Sequence, residues 1–281
     1  MSPKGSKMVY FDNAATSWPK PTVVAAAMHD YMTQCGIGFG RSSGHQAEFV
    51  RATIEDLRRR LAAMLHATAD EIILTTSATD GLNLVIQGLL LQRFGAKTCP
   101  ARVDSHTSLP ALVVATQIEH NSVLRPLQSW ERRGWIRVAT LPCDAMGRVI
   151  WDSLDELLQQ RPLLLCVSHV SNVTGLIQSL DALGERCRAS GTLLLVDAAQ
   201  SLGCLPVDVQ RFGCDFLLAS GHKGLHGPLG TGVAYIRRER QDQIDSLRLG
   251  GTGSFSNTRE EELSGPTKWE AGNLNVPGLI G

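Results

Sequence analysis

Two short runs of the sequence, Leu163-Leu-Leu-Cys-Val167 and Leu193-Leu-Leu-Val196, are apolar at every position. A strand with one face in water alternates polar and apolar residues, whereas a strand covered on both faces does not. These runs therefore read as inner strands of a sheet with helices packed on each side. The neighbouring segments agree. Glu48–Leu65 places Val50, Ile54, Leu57, Leu61 and Met64 near helical spacing, with arginines between them, as an amphipathic helix does. Along the rest of the chain the two patterns take turns. Strands are expected at Glu71–Thr76, Ala111–Gln117, Ile136–Leu141, Leu163–Val170, Leu193–Asp197, Phe216–Ala219 and Gly232–Arg237. Helices are expected at Val23–Met32, Thr79–Leu91, Ser122–Arg133, Ser153–Gln160 and Leu180–Ser190. Such alternation implies an α/β fold, a three-layer, mostly parallel sheet between helices.

A chain of 281 residues holds one large domain with a sizeable core, or one plus a piece of a second. Residues 1–20 read as an N-terminal extension and lead-in, with 1–7 disordered and Met8 an alternative start. Residues 21–250 form the large domain. Residues 251–281 read as an inter-domain loop and the incomplete start of a C-terminal domain, since Asn275-Val-Pro-Gly-Leu-Ile-Gly281 resembles the first turn of a helix that does not continue. Phe94–Ser108 is polar and reads as a surface insertion, and the glycine-rich loop from Cys35 to Gly44 is long enough to be functional.

Lysine and arginine number 27 and aspartate and glutamate 27, so no net charge draws the chain to nucleic acid or an anionic membrane. The seven cysteines are scattered with no C-x-x-C pair, which speaks against a disulfide framework or a metal site and for a reducing compartment. With no signal segment and no span of transmembrane length, a cytoplasmic protein is expected.

In a parallel sheet, ligands bind at the C-terminal strand ends. The first strand runs into Ser77-Ala-Thr-Asp80, where a helix N-terminus with the Thr79 hydroxyl suits a phosphate, although a plain helix cap has the same composition. Later strands end in His120, in Asn172 before a glycine turn, in Asp197 followed by Gln200, and in Ser220-Gly-His-Lys223. An Asp after four apolar residues needs a cationic or hydrogen-bonding partner, and a pyridinium nitrogen is one. A lysine closing a buried strand has its amine pushed toward the neutral, nucleophilic form, the state that condenses with an aldehyde such as pyridoxal phosphate. Each signal also has an ordinary reading as a turn, cap or hydrogen bonder. Their placement at the ends of five different strands points to one shared ligand.

The stretches Tyr10-Phe-Asp-Asn-Ala-Ala-Thr-Ser-Trp-Pro-Lys-Pro21, Gly40-Arg-Ser-Ser-Gly-His45, Ile118-Glu-His-Asn-Ser-Val-Leu-Arg-Pro126, Val170-Ser-Asn-Val-Thr-Gly175, Val196-Asp-Ala-Ala-Gln-Ser201 and Ser220-Gly-His-Lys-Gly-Leu-His-Gly-Pro-Leu-Gly-Thr-Gly232 resemble the class V aminotransferase superfamily, and within it the cysteine desulfurases. The resemblance implies pyridoxal 5′-phosphate as cofactor, Lys223 as its Schiff-base lysine and proton carrier, and His120 stacked on its ring as an acid–base group. It also implies Asp197 at the pyridine nitrogen, Gln200 and Asn172 at the phenolic oxygen or substrate, and Ala78, Thr79, Ser220 and His222 at the phosphate. Family members are homodimers in which a Glu-x-Gly-Thr segment reaches the partner's phosphate; here it is Glu270-Ala-Gly272-Asn273, with Asn273 replacing the threonine. The implied reaction takes L-cysteine to L-alanine with sulfur transfer to an enzyme cysteine and on to a sulfur-acceptor protein. Family chains continue into a C-terminal domain holding the carboxylate-binding arginine and the sulfur-taking cysteine, and no cysteine here stands at that position. A C-terminally truncated chain with weak or no desulfurase activity is therefore expected. Other class V chemistry, β-elimination or transamination, and a non-catalytic paralogue remain alternatives.

Overall fold

A computed structural model describes residues 9–40, 43–95, 110–251 and 265–281. The expected extension at 1–7 and, from residue 96 onward, the expected surface insertion lie outside the described residues. In chain order the elements are α1 (Thr22–Gln34), α2 (His45–Leu65), β1 (Ile72–Thr75), α3 (Ala78–Phe94), β2 (Ala111–Thr116), α4 (Asn121–Arg132) and β3 (Ile136–Leu141). Then come α5 (Leu154–Gln159), β4 (Leu164–Ser168), α6 (Leu183–Ser190), β5 (Leu193–Asp197), α7 (Val209–Phe212), β6 (Phe216–Ser220), β7 (Gly232–Ile236) and α8 (Val276–Ile280).

The strands form one sheet in the order β1-β7-β6-β5-β4-β2-β3. β2 through β6 pair in parallel, while β7 runs antiparallel to both β1 and β6. The two wholly apolar runs lie inside the sheet, and their alternate side chains feed two separate cores. Leu165, Val167, Leu194 and Val196 pack on the face that receives Tyr31, Val50, Ile54 and Leu183, from α1, α2 and α6. Leu164, Cys166, Leu193 and Leu195 pack on the other face, against Leu82, Val85, Val123 and Trp130 of α3 and α4. This is the three-layer α/β architecture, and it explains why β4 and β5 are apolar on both faces until their last residues, Ser168 and Asp197, at the end of the sheet.

β4 stops at Ser168, two residues before the sequence pattern suggests. Val170 instead forms an isolated bridge to Ile177, which folds Ser171–Gly175 over the end of the sheet. At the far end of the chain, the helical turn that the sequence only begins is formed as α8, with Asn275 accepting a hydrogen bond from the Gly278 N–H. Residues 265–281 lie against the body of the fold. α8 packs on α1 and α2. The edge strand β1 would leave its Leu74 N–H unsatisfied, and the Glu270 carboxylate accepts it at 2.7 Å. The same carboxylate takes two bonds from Arg58, at 2.8 and 2.9 Å, and both side chains are largely buried.

Candidate active site

The C-terminal ends of β1, β2, β4, β5 and β6 open onto a cleft of about 390 Å³. At one end, Ser77 caps α3, accepting from the Asp80 N–H at 3.1 Å. The Ala78 N–H donates to Ser220 Oγ across the cleft wall at 3.3 Å, and the hydroxyls of Thr79 and Ser122 are 2.7 Å apart. A helix N-terminus ringed by hydroxyls and His222 is a donor set for an anion.

His120 heads α4 and caps it. Its Nδ1 accepts from the Ser122 N–H at 3.1 Å and lies 2.9 Å from Ser122 Oγ. Because a backbone N–H can only donate, Nδ1 carries no hydrogen, and the ring's proton sits on Nε2. The chain Thr79 hydroxyl, Ser122 hydroxyl, His120 Nδ1 ties the anion end of the cleft to the imidazole.

Asp197, the last residue of β5, is buried. Its carboxylate accepts from the Ala199 N–H at 2.9 Å and forms no ion pair among the described residues. Burial pushes its pKa up, opposed by that N–H and by the charges of Lys223 and His120. A buried carboxylate left in this state has room for a cation in the cleft. Lys223 lies in the turn after β6, half-buried. Burial lowers its pKa, and Asp197 partly restores it. One cleft thus gathers a helix N-terminus suited to an anion, an amine eased toward neutrality by burial and a buried carboxylate with no ion pair among the described residues.

Glu119 was not singled out by its sequence position. It is buried directly behind His120 and joins β2 to β4: its carboxylate accepts from the Thr116 hydroxyl, from the Ser168 N–H at 2.7 Å and from the Ser168 hydroxyl at 2.9 Å. Burial first, and then the nearby Asp197, raises its pKa to about 7 against those bonds. The folded chain therefore holds a proton on Glu119 that the unfolded chain releases. Stability from this group is complete below about pH 4.5 and is lost as the pH rises to about 7. Glu119→Gln can keep all three partners, since its amide donates to the Ser168 hydroxyl. Its melting temperature is expected to match the wild type at pH 5 and to exceed it by several degrees at pH 8; equal melting temperatures at both would contradict this.

Ala78, Thr79, His120, Asn172, Asp197, Gln200, Ser220, His222 and Lys223 all line the cleft. The Gln200 amide is engaged there, donating to the Ala14 carbonyl at 2.8 Å. Gly272 and Asn273 stand apart from it; Asn273 lines a separate hollow with Thr75, Thr76 and Arg248, because Glu270 pins this segment to the edge of β1. Among the described residues no cysteine lines the cleft. The cleft also takes in Asp12, Ala14 and Ala15, brought by the N-terminal segment, and Ser122 and Ser168. Ser122 was legible two places after His120; Ser168, inside a strand, carried no signal.

The sequence profile described as aminotransferase class V matches residues 9–281. The chain is 34% identical to a probable cysteine desulfurase of Methanothermobacter thermautotrophicus over 97% of its own length and 64% of that protein's. It is likewise 34% identical to the cysteine desulfurase IscS of Shewanella amazonensis, over 86% of its length and 57% of that protein's. The apo structure of a cysteine desulfurase from Thermococcus onnurineus NA1 superposes with a TM-score of 0.85 at 30% identity, covering 97% of this chain and 64% of that one. The chain thus spans less than two thirds of these relatives' length. Among the described residues no helix is long and apolar enough to cross a membrane. With its profile match running from β1 through β7 and the cleft residues falling at the matched strand ends, the chain belongs to the class V aminotransferase family.

Proposed function

We propose that the cleft holds pyridoxal 5′-phosphate and serves a cysteine desulfurase reaction, L-cysteine to L-alanine with the sulfur passed to an enzyme cysteine. The observation that carries this is the meeting of Lys223, Asp197 and the Ala78–Thr79–Ser220 cradle in one cleft. The donor set fits the cofactor part by part. The α3 N-terminus with Thr79, Ser220 and His222 suits its phosphate, the buried Asp197 its ring nitrogen, and the Lys223 amine its aldehyde. The named relatives, together with a solved structure of SspA in complex with cysteine at 26% identity, support cysteine as the substrate class. A homodimer, and a sulfur-acceptor protein as a further partner, belong to the same reading.

When bound, the cofactor supplies an electron sink that makes the α-hydrogen of an amino acid removable. The residues here do the rest. Asp197 keeps a positive nitrogen in place by charge. Lys223, its amine eased toward neutrality by burial, holds the cofactor and then takes and returns the α-proton at Nζ. His120, with its hydrogen on Nε2, offers a donor at the same cleft. Among the described residues no thiol that could receive sulfur lines the cleft. Cys187 and Cys214 are buried, with thiols pushed up to about 12, which makes them poor nucleophiles. The test is to load the purified chain with pyridoxal phosphate, add L-cysteine and a reductant, and measure products over a single turnover. Alanine without pyruvate is expected, formed far more slowly than an ordinary enzyme forms product because no cysteine lines the cleft among the described residues; pyruvate matching the sulfide released would replace this reading with β-elimination.

A further inference from the structure

Hydrogen bonds from one short segment converge on a single backbone oxygen beside the site lysine. The His222 carbonyl accepts from Lys20 Nζ at 2.7 Å, from the Thr16 hydroxyl at 3.0 Å, and from the Ser17 N–H and hydroxyl, each at 3.1 Å. Lys20 Nζ also donates to Ser17 Oγ at 2.7 Å, so the ammonium organises the other donors. A carbonyl oxygen has two lone pairs, and ordinary turns satisfy it with one or two donors. Lys20 is half-buried, burial lowers its pKa, and among the described residues it forms no ion pair. Keeping a charged ammonium in that position costs solvation that no carboxylate returns. Its charge is spent on the residue next to Lys223.

The rest of the Lys223 turn is held by backbone alone. Gly221 N–H donates to the Thr231 carbonyl and Gly227 N–H to the Gly221 carbonyl, both within 2.9 Å. Gly224 lies so close to Leu202 that a Cβ there would come within 2.5 Å of the Leu202 carbonyl oxygen. These contacts fix both flanks of the turn. Beyond His222, the Lys223 carbonyl accepts from the His226 N–H at 2.9 Å, while among the described residues the His222 carbonyl itself is held by the N-terminal segment.

We propose that Lys20 is a positioning residue for the cofactor lysine: through the His222 carbonyl and the Ser17 hydroxyl, its ammonium fixes the turn that presents Lys223 to the cleft. The inference rests on the pyridoxal phosphate reading for the role of Lys223. The lysine amine faces Asp197 from β5, His120 at the head of α4, Asp12 of the N-terminal segment and its neighbour His222, all lining the same cleft. Loosening the turn moves the amine away from its buried position and toward ordinary lysine behaviour.

The test compares Lys20→Met and Lys20→Arg with the wild type. Acylation of Lys223, followed across pH by mass spectrometry without cofactor, uses Lys268, which donates to the Gln241 carbonyl, as the internal reference. Lys20→Met is expected to raise the midpoint of Lys223 acylation while leaving Lys268 unchanged, and to weaken pyridoxal phosphate binding roughly tenfold, the scale of one charged hydrogen bond. Lys20→Arg, which keeps the charge and the donors, should recover most of both. Unchanged acylation and affinity in Lys20→Met overturn the proposal, and so does a Lys20→Arg variant as impaired as Lys20→Met at equal melting temperature. Where Lys20→Met does not fold, Lys20→Gln against Lys20→Arg makes the same comparison with a donor kept and only the charge removed. A wild type that fails to bind pyridoxal phosphate defeats the cofactor reading instead, and the acylation midpoints then decide the role of Lys20 alone.

Discussion

Lys223→Ala is expected to leave a folded chain that no longer forms a borohydride-stable adduct with pyridoxal phosphate and turns over substrate roughly 10³-fold more slowly or not at all, the scale of a lost proton-transfer group. Folding should survive because the lysine is not an asset to it. Its folded pKa lies below the ordinary value, so the folded chain disfavours the charged form that the unfolded chain carries freely. That penalty is complete below the folded pKa and fades as the pH rises toward 10.5. At neutral pH the alanine variant therefore melts no lower than the wild type. Peptide mapping after reduction locates the adduct. A variant that still traps the cofactor at another lysine, with activity intact, would falsify the assignment of Lys223.

Arg58→Ala is expected to cost about 3–5 kcal/mol of stability, because among the described residues it leaves the buried Glu270 carboxylate with the Leu74 N–H as its hydrogen-bond partner. Arg58 also donates to the Ile72 carbonyl, so the edge of β1 loses that bond as well. The physical reason for so large a loss is asymmetry. Two desolvated charges attract each other strongly, but one alone retains the whole desolvation cost. Replacing both partners, Arg58→Met with Glu270→Leu, should therefore be less damaging than Arg58→Ala by itself. Urea unfolding of the two single variants and the double variant gives the coupling directly. A single variant costing under about 1 kcal/mol would put the pair in the class of weak surface bridges. The same pair holds Ala271, Gly272 and Asn273 against the outer edge of the sheet, beside β1.

The fold was largely legible from local pattern. The apolar runs at 163–167 and 193–196 fall within or beside β4 and β5, and the alternation of periods placed nearly every other element within a few residues. Misses came where tertiary contacts redirect the chain. β4 ends early because Val170 pairs with Ile177, and the turn at 275–281 completes a helix because α1 and α2 cover it. The candidate site was legible where a polar residue interrupts an apolar strand end, as at His120, Asp197 and Lys223. Glu119 gives no local signal, because its role depends on Ser168, 49 positions away. Lys20 lies in a turn-rich stretch between Pro19 and Pro21 and leaves no local signal, because its partner is 202 positions away.

Sequence by itself determined the alternation of strands and helices, the strand ends that gather at the cleft, and the lysine in the turn after β6. Those follow from hydrophobic period and from the burial of a polar group after an apolar run, both of which are local. Tertiary structure alone decided who meets whom. Lys20 reaches His222 across 202 positions, Arg58 reaches Glu270 across 212, and Glu119 bridges to Ser168 across 49. None of these pairs leaves a periodic trace, because a salt bridge or a shared proton needs only one residue from each side and folding supplies the proximity.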